Sequence, residues 1–264
     1  VCIMGILQNS NAIPVASAGG FYDHQIEQSL LIPRSTTAKL SRTLGTPTNE
    51  YKMTFSAWIK RAFIGNTNLC MILNTVDGGS GVNTAFDYSV DDKLGVAVSG
   101  SYDGDTSAST LDPVFRDISA FMHLVIAYDT TDGTSTNRVK VYQNGTQLTG
   151  YTTTVSQNTT VAYNKNGNTL YLGNHVSASY SLGGYIAEVV IIDGQQLAPT
   201  SFAEKKNGVW KPISVSGLTF GNNGAYLKFV SGAIGTDSSG NGNTFSTSGL
   251  TNTNIVLDSP TFGS

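Results

Sequence analysis

Two neighbouring segments constrain the fold of this chain more than any others. Phe121-Met-His-Leu-Val-Ile-Ala-Tyr-Asp129 is followed, nine residues on, by Val139-Lys-Val-Tyr-Gln-Asn-Gly-Thr-Gln-Leu148. The first is an apolar run of strand length, and the second doubles back at Asn144-Gly145. A type I′ turn needs positive φ at both central residues, which Asn tolerates and Gly adopts freely, so Asn-Gly between alternating residues predicts a tight hairpin. Alternation then puts Val139 and Val141 on one face and Lys140 and Tyr142 on the other.

Composition extends that local reading to the whole chain. Charged residues are 12% of the sequence, and Gly accounts for 29 positions. Helix surfaces are normally covered by Glu, Lys, Arg and Gln, but this chain has four Glu: Glu27, Glu50, Glu188 and Glu204. Long helices are therefore not expected, and 264 residues suit one all-β domain. The formal net charge of −3 offers no cationic surface for nucleic acid. Its two basic doublets, Lys60-Arg61 and Lys205-Lys206, are expected on solvated surface. No apolar run reaches bilayer-spanning length, so membrane insertion is not expected. Val1–Leu7 is apolar but short and lacks a cationic lead-in, so it does not match an export signal. Cys2 and Cys70 have no disulfide or zinc spacing, and Cys70 within Leu69–Leu73 reads as a small core side chain.

Short strands separated by Gly, Asn and Asp turns are expected at Ser29–Ile32, Ala38–Leu40, Lys52–Lys60, Leu69–Thr75, Ala85–Val90 and Leu94–Ser99. Others follow at Phe121–Tyr128, Val139–Gln143, Gln147–Tyr151, Thr169–Leu172, Tyr185–Ile192 and Tyr226–Val230. This spacing predicts an all-β, two-sheet antiparallel jelly-roll sandwich over residues 27–264. Met53, Phe55, Ala57 and Ile59 alternate onto one face, and Phe55, Ile59, Leu124, Ile126, Val139, Val141, Val190 and Ile192 are the expected common core. Tyr185–Ile192 is nearly continuous in apolar residues, as a strand covered on both faces would be. The one helical expectation is Pro199–Asn207, capped by Thr200 or Ser201 and ended by Gly208. Residues 1–26 form an extended N-terminal arm with too little periodicity to fold alone. It is expected to dock on its own sandwich or a neighbouring subunit, burying Ile3, Ile6, Leu7 and Ile13.

Catalytic chemistry finds no support in residue spacing. Retaining glycanases need two carboxylates close together, which alternate positions of one strand supply. The nearest Glu residues here are Glu188 and Glu204, and no Glu-x-Asp-x-Glu pattern occurs. Glu188 reads as a structural hydrogen-bonding carboxylate, although carboxylates distant in sequence could still converge in space. His24, His123 and His175 have neither a nucleophile partner nor metal spacing, so no catalytic or metal residue is assigned. Asp77-Gly-Gly, Asp91-Asp92 and Tyr102-Asp-Gly-Asp105 are the candidate calcium loops, against the plainer reading of Asp-Gly as a turn. No cofactor is therefore expected. Tyr88 and Tyr102, with Asp103 and Asp105, are the candidate glycan-binding residues: rings for stacking, carboxylates for hydroxyl hydrogen bonds. Tyr180 is a further ring near such loops. Asn144-Gly-Thr146 and Asn158-Thr-Thr160 match a glycosylation sequon, which without an export signal reads as turn composition.

The pairing of an apolar strand ending in Tyr-Asp with Val-Lys-Val-Tyr-x-Asn-Gly resembles the laminin-G-like (LamG) branch of the concanavalin A-like lectin/glucanase sandwich. Gly184-Tyr-Ile-Ala-Glu-Val189 and Leu197-Ala-Pro-Thr-Ser-Phe202 resemble its closing strand and the turn after it. In order along the chain, further segments resemble LamG-like virion proteins of marine tailed bacteriophages. They are Gln8–Ile13, Gln28-Ser-Leu30, Tyr51–Arg61, Phe115-Arg-Asp117, Asp237-Ser-Ser-Gly-Asn-Gly-Asn243 and Asp258-Ser-Pro-Thr261. That resemblance implies a non-enzymatic protein of the virion surface, as a tail fibre, a head fibre or a capsid decoration. Its implied partners are other virion proteins, further copies of itself as a homotrimer, and host glycan. It also brings in the rim calcium often seen in such domains. The alternatives are a carbohydrate-active hydrolase of the same fold and a cellular lectin.

Overall fold

The computed structural model describes residues 21–35, 37–65, 69–77, 84–98, 109–150, 155–175 and 180–261. Val1–Gly20, with Ile3, Ile6, Leu7 and Ile13, lies outside them. The strands in chain order are β1 (Ser29–Ile32), β2 (Lys39–Thr43), β3 (Lys52–Arg61), β4 (Cys70–Asp77), β5 (Thr84–Tyr88) and β6 (Lys93–Val96). Next come β7 (Ser109–Val114), β8 (Met122–Asp129), β9 (Val139–Gln143), β10 (Thr146–Gln147), β11 (Asn168–Leu172) and β12 (Gly184–Asp193). The last are β13 (Ala203–Lys206), β14 (Val209–Pro212), β15 (Ala225–Leu227), β16 (Ser246–Ser248) and β17 (Ile255–Val256). One sheet runs β10-β9-β8-β3-β12-β1-β17, with β15 also on β12; the other runs β16-β2-β11-β4-β5-β6-β7. Every strand pairing is antiparallel, so this is the sandwich that turn spacing predicted.

The alternation patterns place the core. Met53, Phe55, Ala57 and Ile59 of β3 meet Leu124 and Ile126 of β8 and Val139 and Val141 of β9 on the inner face. The rings of Phe55, Phe86, Tyr128 and Tyr163 fill the space between the sheets. The Tyr128 hydroxyl donates to the Ala97 carbonyl at 2.8 Å, satisfying a buried polar tip. Asn144 and Gly145 both have positive φ, at 48° and 79°, as a type I′ turn requires. A Cβ on Gly145 would come within 2.6 Å of the Trp210 ring, so the residue also has to be small.

Strand β12 departs from simple alternation. Ala187 pairs with Trp58 but Val190 pairs with Ser56, so Glu188 and Val189 face Ala57 alone. This is a β-bulge whose first residue, Glu188, has φ of 48°, a place normally taken by glycine. The extra residue inverts the faces beyond it. Ile186, Val189 and Ile191 point into the main core. Val190 and Ile192, expected there, instead pack on the outer face with Val125, Phe202, Val215, Phe220 and Tyr226.

Two further expectations are corrected. Pro199–Ser201 is a single 3-10 turn with Ala198 at its N-cap, and the chain then enters the β13–β14 hairpin rather than a helix. Asn207 and Gly208, with φ of 51° and 85°, form its turn by the same chemistry as Asn144-Gly145. Strand β10 stops at Gln147, short of the expected Tyr151, and β15 stops at Leu227, short of Val230.

The outer face of β3 and β8 carries a buried histidine. His123 stacks on Trp58, with ring centroids 4.8 Å apart. Its Nδ1 accepts from Trp210 Nε1 at 3.0 Å, and its Nε2 lies 2.8 Å from Ser56 Oγ. Indole nitrogen only donates, so the proton sits on Nε2 and is given to Ser56. Burial drives this imidazole down to about 3, while in the unfolded chain it titrates near 6.5. Between those values the unfolded state holds the extra proton, so stability is complete above about pH 6.5 and falls as pH drops toward 3. Denaturant titrations at several pH values should show this slope, at most about 1.4 kcal/mol per pH unit, and His123→Gln should flatten it.

Candidate functional site

The bulge in β12 opens a gap in its sheet. The first half of β12 pairs with β1, Leu30 opposite Ile186, and the second half pairs with β15, Leu227 opposite Val189. Two short strands thus meet along one long strand, and neither covers Ala187 and Glu188. The segment entering β1 and the segment leaving β15 wall a cleft of about 150 Å³ at this break. It is lined by His24, Gln25, Ile26, Glu27 and Gln28 on one side, Tyr226, Lys228 and Val230 on the other, and Glu188.

Residues 21–26, assigned to the arm from sequence, lie against the sandwich here. Asp23 pairs with Lys211 at 2.8 Å and with Lys206 at 3.2 Å. Those two hydrogen-bonded ammonium groups hold its carboxyl below the ordinary value. The Ile26 N–H donates to Thr261 Oγ1 at 2.9 Å, and that hydroxyl donates back to the Ile26 carbonyl. The wall of the cleft is therefore clamped at both ends.

Glu188 is 6% exposed. Its Oε1 lies 2.6 Å from His24 Nε2 and also accepts the Tyr226 hydroxyl proton. Burial, followed by the adjacent Glu188 carboxylate, pushes the Tyr226 phenol far above its usual value, so it is a firm donor and no nucleophile. Lys228 Nζ sits over the Tyr226 ring, 5.0 Å from its centroid. Oε2 of Glu188 has no hydrogen bond to a described residue. The cleft thus combines a strong, oriented acceptor with an apolar rim of Ile26 and Val230 and a nearby cation. Such a set grips a hydroxylated ring by accepting an O–H and packing its C–H face.

Of the sequence-stated site residues, Tyr102, Asp103 and Asp105 lie outside the described residues. Tyr88 does not reach solvent: it is fully buried on the inner face of β5, against Phe115 and under the Arg61 guanidinium at 4.5 Å. Period 2 turned its ring into the core although its strand ends in a polar loop. Tyr180, half-buried, packs edge-on to His175. Arg61 and Lys60 are not solvated surface either. Arg61 is 3% exposed and paired with Asp92, while Lys60 pairs with Asp258 and lies over the Phe121 and Tyr185 rings. Asp92, a candidate calcium residue, is consumed by Arg61 and Arg116. Among the described residues no group of three or more His, Cys, Asp or Glu is placed to hold a metal ion; the Gly78-Gly79 and 102–105 loops are not among them.

His24 and Tyr226 carried no signal as site residues, because no spacing rule links positions 24, 188 and 226. The one available hint was a lone Glu in an apolar strand, since a buried carboxylate demands partners.

The family model described as the concanavalin A-like lectin/glucanases superfamily (Laminin_G_3) matches residues 34–199. A search of curated proteins finds no match. Among solved structures, a provisionally named carbohydrate binding protein of Bacteroides ovatus ATCC 8483 superposes with a TM-score of 0.55 at 15% identity, over 86% of this chain and 61% of that one. The native heptameric SAP-like pentraxin of Limulus polyphemus gives 0.48 at 17% identity, over 66% and 80%. Trypanosoma rangeli sialidase in complex with sialic acid gives 0.41 at 17% identity, over 57% of this chain and 22% of the enzyme. At 15% identity the likeness to the Bacteroides ovatus protein is one of fold alone.

The strained bulge makes a stability prediction. Glu188→Ala should lose about 1–3 kcal/mol by leaving the buried Tyr226 hydroxyl unpaired. Glu188→Gly should be about 1 kcal/mol more stable than Glu188→Ala, because glycine takes positive φ without a Cβ clash. Equal stability of the two in urea denaturation would show that the bulge relaxes on mutation.

Proposed function

The chain belongs to the concanavalin A-like lectin/glucanases superfamily, and from that premise we propose that it is a non-enzymatic attachment domain that holds a glycan residue in the Glu188 cleft. The observation carrying this reading is the buried Glu188 carboxylate, with Oε1 occupied by Tyr226 and His24 and Oε2 left to the cleft. A site built to bind needs a fixed acceptor, and two donors on one oxygen fix it. Because the carboxylate is largely buried, a sugar whose hydroxyl fails to meet it leaves that acceptor without its partner, which gives discrimination among sugars.

The hydrolase alternative gains one observation: Glu27, 161 positions from Glu188 in sequence, lines the same cleft. Glycoside hydrolysis needs one carboxyl to carry a proton to the leaving oxygen. Here the proton of the Glu188–Tyr226 pair stays on the phenol, and Glu27 lies on exposed chain, which supports binding over cleavage.

The setting on a phage virion rests on the ordered motifs from Gln8–Ile13 to Asp258–Thr261. In that setting residues 1–20 join the domain to other virion proteins or to sister subunits of a homotrimer, and the cleft faces host glycan. No calcium is invoked.

Binding of host surface polysaccharides should be measurable by calorimetry without release of reducing ends. Glu188→Gln should weaken binding by about tenfold, the worth of one charge-assisted hydrogen bond. Turnover that is lost in Glu188→Gln or Glu27→Gln would install the hydrolase instead. Deleting residues 1–20 should leave a folded domain that no longer incorporates into particles, measured by its absence from purified virions.

A further inference from the structure

A second cleft, of about 140 Å³, lies where β3 ends and β8 begins, and its polar groups have the opposite character. Its organiser is Asp92, 2% exposed and with φ of 61°. Asp92 Oδ1 accepts from Arg61 Nη2 at 2.8 Å and from the Gly65 N–H at 3.2 Å, while Oδ2 accepts from Arg116 Nε at 3.0 Å. Burial opposes the charge on Asp92, but the hydrogen bonds from Arg116, Arg61 and Gly65 outweigh it and hold the carboxyl below its usual value.

The two guanidinium groups differ in what remains to them. Arg61 also donates to the Phe115 carbonyl and covers the Tyr88 ring, so it is spent on the fold. Arg116 uses Nε alone. Its side chain is 61% exposed, and Nη1 and Nη2 have no partner among the described residues. Asn144 and Gln143, across the cleft, add to this. The Asn144 Oδ1 accepts the His123 N–H at 2.8 Å, which orients the amide and leaves Nδ2 unpaired among the described residues. Gln143 Nε2 reaches only Met122 Sδ at 3.7 Å. Phe121 provides a half-buried ring beside them. The one carboxylate in the lining, Asp117, turns Oδ1 onto the N–H and hydroxyl of Ser119, at 2.8 and 2.6 Å.

We infer that this cleft binds a carboxylate-bearing sugar, of the uronic acid class, with the carboxylate on the free Nη1/Nη2 edge of Arg116 and the ring against Phe121. A planar carboxylate matches a guanidinium fork with two parallel hydrogen bonds. A guanidinium held at Nε by Asp92 is already oriented, so little side-chain freedom is lost on binding. The amides of Asn144 and Gln143 supply further donors for ring hydroxyls. This site shares no residue with the Glu188 cleft and stands whether or not that cleft binds sugar.

The test is titration of the full chain with sodium D-glucuronate, D-glucose and sodium sulfate, followed by NMR chemical-shift changes at the Arg116 side chain and the Asn144 amide. Glucuronate should shift both, with glucose and sulfate at least about tenfold weaker, as expected when a charge-assisted hydrogen bond is missing or misaligned. Arg116→Lys keeps the charge and loses the fork, and should weaken glucuronate by about tenfold or more, with its thermal midpoint compared to confirm folding. The inference is overturned if glucuronate causes no shifts, if glucose or sulfate binds as well, or if folded Arg116→Lys binds normally.

Discussion

The bulge at Glu188 governs more of this molecule than any other single feature. One extra residue in β12 inverts the side-chain faces from Val189 onward, and so decides which half of a continuous apolar run fills the main core. It also marks where β12 stops pairing with β1 and starts pairing with β15. A strand that must change partners midway leaves unpaired backbone at the change, and a bulge is the local geometry that accommodates this. The gap becomes a cleft, and the residue in the strained conformation becomes its buried acceptor.

Charge is scarce here and used locally. Asp193, 1% exposed, accepts the backbone N–H groups of Thr48, Asn49 and Asn223 and the Asn164 side-chain amide, closing the end of β12. Asp237 does the same for the Ser238–Asn243 loop, accepting from Tyr226, Ser239 and Asn243 backbone. Asp92 gathers the loops around Arg61 and Arg116. Each is a short carboxylate at a chain reversal that takes several donors at once, so loops without regular structure hold fixed positions. Both clefts inherit their rigidity from such nodes, and rigid clefts that present either acceptors or donors suit recognition of polar rings.

Much of the architecture was legible before any coordinates. Asn144-Gly145 and the alternation in β3, β8 and β9 depend on neighbours within a few residues, and these appear as the turn and strands they predict. Asn207-Gly208 carries the same turn signal, but Thr200 or Ser201 as a cap and Gly208 as a terminator make Pro199–Asn207 read equally well as a helix, and only the pairing of β13 with β14 separates the two. The burial of Arg61 was not legible, because it depends on Asp92, 31 residues away in the turn between β5 and β6. Tyr88 shows the same limit: a ring at a strand end can face the core or the solvent, and only the opposing sheet decides.

The sequence by itself determined the class of fold, since strand length, period-2 alternation and turn chemistry are all set by φ/ψ preferences of residues close in the chain. It determined that Glu188 was anomalous, a lone carboxylate in an apolar strand. Only the tertiary structure decided the parity of β12 beyond that residue, because a bulge is forced by the strands on either side of it and not by its own neighbours. The same is true of both clefts. Glu188, Tyr226 and His24, and likewise Arg116, Phe121 and Asn144, are brought together by strand order, a long-range property that no local spacing encodes.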